Sequence, residues 1–461
     1  MKPIQGSILV SYIIVSLVGC SRIRNSVATR VSDVSPTAPP TMGKEVPPTA
    51  IVPKTISPAA NRGIDMSEVN CDSRKVESIP FGPEVGVPMG LVAIRKGPDI
   101  DDAIVILDHR MNIYELAGTQ EEQTRWIGLS PNGRMLAYAI ALEEPILRIS
   151  IFDSTLQERA VEVDLSDESF VKPGDPTSWG INNIRWINNR WLSADLYSRE
   201  DPSGNTIRLA VIDSLEGIAI GMAPDLTPEP TPTSTIILSP DMERAFYATG
   251  EDDLALVNNN TGKVLWKRED SASLHMIRSG VGSFWASPAA WSTDGSMIAY
   301  TAHEELSPYL LQGDRVGVFL LSRDGEVHQP VTSFSSSGFD NYYSDGLVWS
   351  QDDSQLAFFA YYLTDSEGHY PPILMVYDNV SNQLKCVTRL IGEHPRFNSM
   401  VWSPDGRFIS YAAETEHFID EYWYTEDRWF IVDLSDGTTY EVDSDIFQVA
   451  GWSEEFAAIN K

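Results

Sequence analysis

The side chains able to do chemistry are scattered along this chain, and none has the spacing that a reaction requires. Gly128-Leu129-Ser130-Pro131-Asn132 comes nearest to the G-x-S-x-G turn that lifts a serine nucleophile out of a sheet, and it fails at its fifth residue. Gly262-Lys263 is followed by Val264 and lacks an upstream glycine, so no loop of backbone N–H groups is set to cradle a phosphate. His303-Glu304-Glu305 has no second histidine one helical turn on, which removes the imidazole pair of a zinc protease. The Asp of a recurrent Ser-x-Asp-Gly could serve calcium, but the further oxygen ligands and distant Glu of a calcium loop do not follow. No Cys-x-x-Cys and no Cys/His cluster occurs. No catalytic residue, cofactor or metal is therefore expected, and the chain does not read as an enzyme.

The Ser-x-Asp-Gly phrase is better explained by what it does to the backbone. It stands between two apolar runs, as in Trp402-Ser-Pro-Asp-Gly-Arg-Phe-Ile-Ser-Tyr-Ala412, with parallels beginning at Leu129, Trp291 and Trp349 and weaker copies at Trp186, Leu238 and Trp452. Pro presets φ for a tight turn, Asp hydrogen-bonds locally and Gly accepts a positive φ. Each copy thus predicts a β-hairpin, and a second hairpin follows it, as in Phe430 to Val442. Successive copies lie 50 to 58 residues apart. Four antiparallel strands per period predict an all-β, seven-bladed β-propeller, with six blades as the alternative if the weak copy at Trp186 or Leu238 is not a blade. The chain after Trp452 is too short for a blade, and Ala103 to Leu116 reads as an orphan second hairpin. A composite blade built from both ends would close the ring; whether Gly90 to Lys96 adds a strand to it stays open.

Charge restricts the partners. The 461 residues carry 34 Lys and Arg against 65 Asp and Glu, a net of −31, while residues 1 to 65 are slightly basic. The body should stay soluble and repel nucleic acid.

The start of the chain reads as an export signal. Lys2 precedes an apolar run from Ile8 to Val18, too short to span a bilayer and suited to a signal-peptide core. It ends in Leu17-Val18-Gly19-Cys20, which resembles the bacterial lipobox. That resemblance implies cleavage after residue 19 and lipidation of Cys20, whose acyl chains would hold the protein to a membrane. The expected organisation is a signal peptide over 1–19, a lipidated Cys and Pro/Ser/Thr-rich tether over 20–65, an arm over 66–99 and the propeller over 100–461. An exported chain permits a disulfide between Cys71 and Cys386, but two unpaired thiols are expected at least as much, because sequence says nothing about their distance.

The Trp-Ser-Pro-Asp-Gly repeats resemble those of TolB-type propellers and of the propeller domains of prolyl-oligopeptidase-like enzymes, over about residues 100 to 461. The resemblance implies a fold shared by many functions. Residues 66–100 are too short for the α/β domain that precedes the propeller in TolB, and no hydrolase domain follows Trp452.

Function is expected where the repeats become irregular. Turns between strands one and two, and three and four, are short and share one face of a propeller. The other face receives the long insertions, among them Phe334 to Gly346, Tyr361 to Pro372 and Glu414 to Asp427. These gather Tyr342, Tyr343, Tyr361, Tyr362, Tyr370, Tyr422, Trp423 and Tyr424 beside several carboxylates. Tyr and Trp offer large contact area with few rotors, so this face is expected to bind a protein or small ligand. The same rings could instead fill the loops' own small cores. The expected function is a membrane-anchored recognition or scaffold module at the cell envelope; the alternative is a carboxylate-based propeller enzyme acting on a glycan or lactone.

Overall fold

A computed structural model describes residues 63–66, 69, 71, 79–80 and 90–95 and, between 103 and 456, the strands and tight turns discussed below. The signal peptide, Cys20, the expected tether up to residue 62 and most long connections lie outside the described residues, while Ile64–Asp65, expected at the tether's end, is strand. The chain divides into Met1–Thr55 and Ile56–Lys461, and every described residue belongs to the second unit.

The described chain forms seven blades, each built on four antiparallel strands that follow sequence order in blades 1 to 6; the sheet of blade 6 carries two further short strands, Ile79–Pro80 and His394–Pro395. Blade 1 runs from Gln123–Leu129 to Glu158–Asp164, blade 2 from Trp179–Trp186 to Ile218–Met222, and blade 3 from Thr235–Leu238 to Val264–Arg268. Blade 4 runs from Ala289–Trp291 to His328–Pro330 and blade 5 from Asn341–Trp349 to Gln383–Arg389. Blade 6 holds Val401–Trp402, Phe408–Ile419, Tyr422–Asp433 and Thr439–Ser444. The copies at Trp186 and Leu238 both belong to complete blades, which excludes the six-bladed alternative. First strands of neighbouring blades lie beside one another and make the inner ring.

The composite seventh blade is built differently from the expected pair of hairpins. The C-terminal end supplies one strand, Ile446–Ser453, and the N-terminal side supplies three, Gly90–Arg95, Ala103–Leu107 and Ile113–Glu115. Leu91 pairs with Trp452 and with Leu107, so Gly90–Arg95 is the second strand and the propeller begins ten residues before position 100. The physical reason is burial: Leu91, Val92, Ala93 and Ile94 are all inaccessible to solvent and fill both faces of the sheet. Gln448 donates from Nε2 to the Ile127 carbonyl and Ser453 from Oγ to the Gly133 carbonyl, stitching this blade to blade 1.

The hairpin turns behave as the phrase predicts. Ser292 Oγ donates to Asp294 Oδ1 at 2.8 Å and accepts the Met297 N–H at 3.0 Å, while Asp294 Oδ1 accepts the Ser296 N–H. The same triangle recurs at Ser130/Asn132, Ser239/Asp241, Ser350/Asp352 and Ser403/Asp405. Gly406 takes φ 69°, and Met242 and Asp353 hold equivalent left-handed positions in two other copies. The Ser and Asp are thus consumed by the turn, and Ser130 is a framework residue.

In four of the phrases the Trp clamps the interface with the preceding blade. Trp402 Nε1 donates to the Val348 carbonyl, Trp349 Nε1 to Ala290, Trp291 Nε1 to Ile237 and Trp186 Nε1 to Gly128, each on the first strand of the preceding blade. Large apolar side chains between blades complete the packing: Ala357, Phe359, Leu374, Tyr411 and Phe430 form one core between blades 5 and 6. Burial of this kind is the main stabilising term.

The arm before the ring runs along its rim. Ile64–Asp65 pairs in parallel with Thr332–Ser333, Cys71 forms a disulfide with Cys386 on the last strand of blade 5, and Ile79–Pro80 pairs with the last strand of blade 6. Met66 is buried with Val331, Leu347 and Tyr377. Of the two states left open for the cysteines, the disulfide is the one present.

Candidate functional site

Two neighbouring blades carry strands that outrun their partners. In blade 6, Phe408–Ile419 and Tyr422–Asp433 pair with each other along their whole length, from Phe408↔Asp433 to Ile419↔Tyr422. The last strand of that blade reaches only to Arg428, and the first only to Ser410. In blade 5, Asn341↔Leu363, Tyr342↔Tyr362 and Tyr343↔Tyr361 extend the first hairpin beyond Ala360↔Ile373, where the third strand stops. Both extensions rise on the side of the connections between second and third strands.

This corrects the expected loops. Glu414–Ile419 and Tyr422–Asp427 are paired strand and form a β-ribbon, and the parts of the other two insertions nearest the sheet, 341–346 and 361–363, are strand. Tyr, Trp, Phe and Thr favour a pleated strand even where acidic neighbours obscure the alternation. The base of the ribbon is fixed: Trp429 is fully buried and donates from Nε1 to Ser410 Oγ, and Arg428 pairs with Glu426 at 2.7 Å.

Register decides which candidates share a face. Ile409, Tyr411, Ala413, Phe430 and Val432 turn to blade 5. By strict alternation the ribbon positions Thr415, His417 and Ile419, with Tyr422, Tyr424 and Glu426 opposite them, continue that same face. In blade 5, Ala357 and Phe359 turn to blade 6, so Tyr361 and its partner Tyr343 continue the face directed at blade 6. Tyr343 and Tyr361 therefore stand on the sheet face opposed to that of Tyr422 and Tyr424. Tyr342 and Tyr362 lie on the opposite face of blade 5, and Trp423, paired with Phe418, lies on the ribbon face continuous with Ala412 and Trp429, towards blade 7. Tyr370 lies outside the described residues.

The sequence reading missed His417, Phe418 and Ile419, which stand directly across from Tyr424, Trp423 and Tyr422. Their signal was present as a short run of strand-forming residues on the other side of Asp420-Glu421.

Carboxylates elsewhere are occupied by the framework. Asp153, Asp213 and Asp433, each nearly buried at the end of a third strand, pair with Arg134, Arg190 and Arg407 just after the first turn. The Arg190 guanidinium holds the Asp213 carboxyl below the usual range. Asp195, on the second strand of blade 2, is pushed upward by burial against the opposing pull of its partner Arg185. Among the described residues no group of three or more His, Cys, Asp or Glu could hold a metal ion, and no helix is long and apolar enough to cross a membrane.

The sequence matches no protein-family model and no curated protein. Solved structures similar to this chain include TolB from Acinetobacter baumannii, at 10% identity with 80% of this chain and 67% of that one covered and a TM-score of 0.44. The periplasmic gluconolactonase PpgL of Pseudomonas aeruginosa is similar at 15% identity over 78% of this chain and 98% of that one, TM-score 0.44. The Cps50 (Swd1) β-propeller domain of Myceliophteria thermophila is similar at 12% identity over 82% and 100%, TM-score 0.44. The seven-bladed β-propeller is read from this chain's own strand order.

Proposed function

We propose that this chain is an exported, lipid-anchored propeller that recognises a protein or small ligand at the cell envelope through the prolonged strands of blades 5 and 6. The observation that carries the reading is their register: two adjacent blades, and no other pair among the described strands, extend beyond their sheets with tyrosines on opposed faces. A ring needs no such extension for closure, and loops or ribbons on a rigid scaffold are where recognition residues concentrate. Envelope location is supported by the apolar leader ending at Cys20 and by the Cys71–Cys386 disulfide, which persists in oxidising compartments.

The test is affinity capture with the full chain, followed by identification of what binds and by mass analysis of the N-terminal peptide for acyl groups on Cys20. A reproducible partner lost on substituting Tyr422, Trp423 and Tyr424 supports the reading. No partner, together with turnover of a sugar or lactone panel, favours the propeller-enzyme alternative instead.

A further inference from the structure

The chain between Gly63 and the closing blade meets the rim of the ring at three described places. Ile64–Asp65 pairs in parallel with Thr332–Ser333, with the Ile64 N–H donating to the Val331 carbonyl at 2.9 Å and Met66 buried beside them. Cys71 is bonded to Cys386 in Gln383–Arg389, the fourth strand of blade 5. Ile79–Pro80 pairs in parallel with Tyr440 and Glu441 of blade 6. The next described strand is Gly90–Arg95. Ladder bonds hold it to Ile446–Ser453 on one side and to Ala103–Leu107 on the other, and Ile446–Ser453 is joined to its blade through it. Withdrawing that strand would part the two ends of the chain and open the ring.

The three attachments resist pulling differently. Each parallel pairing joins two residues to two, whereas the bond at Cys71 is covalent and ends on a strand paired from Gln383 to Arg389 with Ile373–Asp378. Cys71 comes before Gly90, and Cys386 lies 315 residues further along the chain. Tension entering at Gly63 therefore crosses to blade 5 through the two sulfurs before it reaches the closing strand. From Gln383–Arg389 it passes across one sheet to Ile373–Asp378 and then to Gln355–Leu363, one of the prolonged strands.

We infer that the Cys71–Cys386 bond is a mechanical anchor, which carries pull on the N-terminal side of the chain straight into blade 5 and keeps it off the strand that closes the ring. The inference rests on the reading of an anchored recognition module, in which a membrane tether and a held partner pull against one another.

The experiment stretches single molecules of the full chain before and after a dithiol reductant is added. One handle is attached to the N-terminal residue and the other to an azide-bearing side chain in place of Val380, which is 59% exposed in the turn before Gln383. Oxidised, the chain should lengthen by the part that precedes Cys71 and then bear rising force without a further step. Reduced, it should open at about half that force or less, since hydrogen bonds and apolar contacts of modest strength then hold the arm. Its first releases should total about 15 nm, the contour of residues 72 to 116, which comprise the arm and the N-terminal strands of blade 7. The double variant Cys71→Ser, Cys386→Ser, stretched without reductant, should repeat the reduced result. Equal resistance before and after reduction would overturn the anchor, because the arm's pairings would then carry the load themselves. A first release from blade 5 that leaves residues 90–116 folded would overturn the shielding of the closing strand. Acylation of Cys20 and partner capture are separate measurements: their failure removes the anchored recognition reading and leaves the load path standing, and equal resistance does the reverse.

Discussion

Asp353 of blade 5 accepts the Thr293 backbone N–H of blade 4 at 2.6 Å, and with its other oxygen the neighbouring Asp294 N–H at 2.9 Å. Asp353 stands where stronger copies of the repeat place glycine, and it holds φ 57°. It accepts the strain of a left-handed residue and in return bridges two blades. Substitution separates these effects. Asp353→Gly loses the bridge but relieves the backbone, so its stability should stay within about 0.5 kcal/mol of the natural chain, whereas Asp353→Ala loses the bridge and keeps the strain, costing about 1–2 kcal/mol. Urea unfolding of both variants checks the order; equal costs would contradict it.

The tryptophans offer a sharper comparison. Trp402 and Trp452 occupy equivalent repeat positions and are similarly buried, but Trp402 Nε1 donates to the Val348 carbonyl while Trp452 Nε1 finds no acceptor. Trp402→Phe should strand that carbonyl and cost about 1 kcal/mol or more beyond the cost of Trp452→Phe, in which an unsatisfied donor is removed. A Trp452→Phe variant less stable than Trp402→Phe would mean that the hydrogen bond is not what matters.

Cys71 and Cys386 lie 315 residues apart, and their bond ties the rim arm to blade 5. Replacing both with Ser should lower stability by about 2–5 kcal/mol through the freedom returned to the unfolded chain. Protein alkylated before reduction should show neither cysteine labelled. Full labelling of both would remove the support that the disulfide gives to an exported chain.

Acid should loosen the ring from its turn face. Asp213 is held low by the Arg190 guanidinium, Asp324 by the Ser322 hydroxyl and Asp352 by the Ser354 and Ser350 hydroxyls. For groups lowered on folding, the unfolded chain binds more protons, so their stabilisation is present above the ordinary Asp value of about 3.9 and is lost as pH falls through the folded values. Asp353, raised chiefly by burial, works in the opposite sense: its contribution is greatest at low pH and lost as pH rises through its folded value. The lowered groups outnumber it. The urea midpoint should therefore fall between about pH 5 and pH 3, and less steeply in Arg190→Ala, which releases Asp213. An unchanged slope in that variant would contradict the assignment.

The framework was legible because its turn chemistry is local: Ser, Asp and Gly at fixed offsets dictate a hairpin wherever they fall, and the Trp before them dictates an interface. The closing blade was only half legible. Gly90–Arg95 carries no such turn, and a run buried on both faces shows no alternation by which a strand could be recognised. The prolonged strands of blades 5 and 6 were legible as composition and misread as conformation. Carboxylates interspersed among Tyr422–Tyr424 and His417–Ile419 suggested loops, whereas cross-strand pairing makes them a ribbon. Register then did what composition could not, placing Tyr343 and Tyr361 opposite Tyr422 and Tyr424 and Tyr342, Tyr362 and Trp423 elsewhere.

The most direct test of recognition by blades 5 and 6 is capture by the full chain compared with capture by the same chain carrying Tyr422→Ala, Trp423→Ala and Tyr424→Ala. These positions lie beyond Arg428, where the last strand ends, so the substituted chain should keep the urea midpoint of the natural one to within about 0.5 kcal/mol. The account predicts a partner captured by the natural chain and lost from the variant at unchanged stability. Undiminished capture by a folded variant would contradict it.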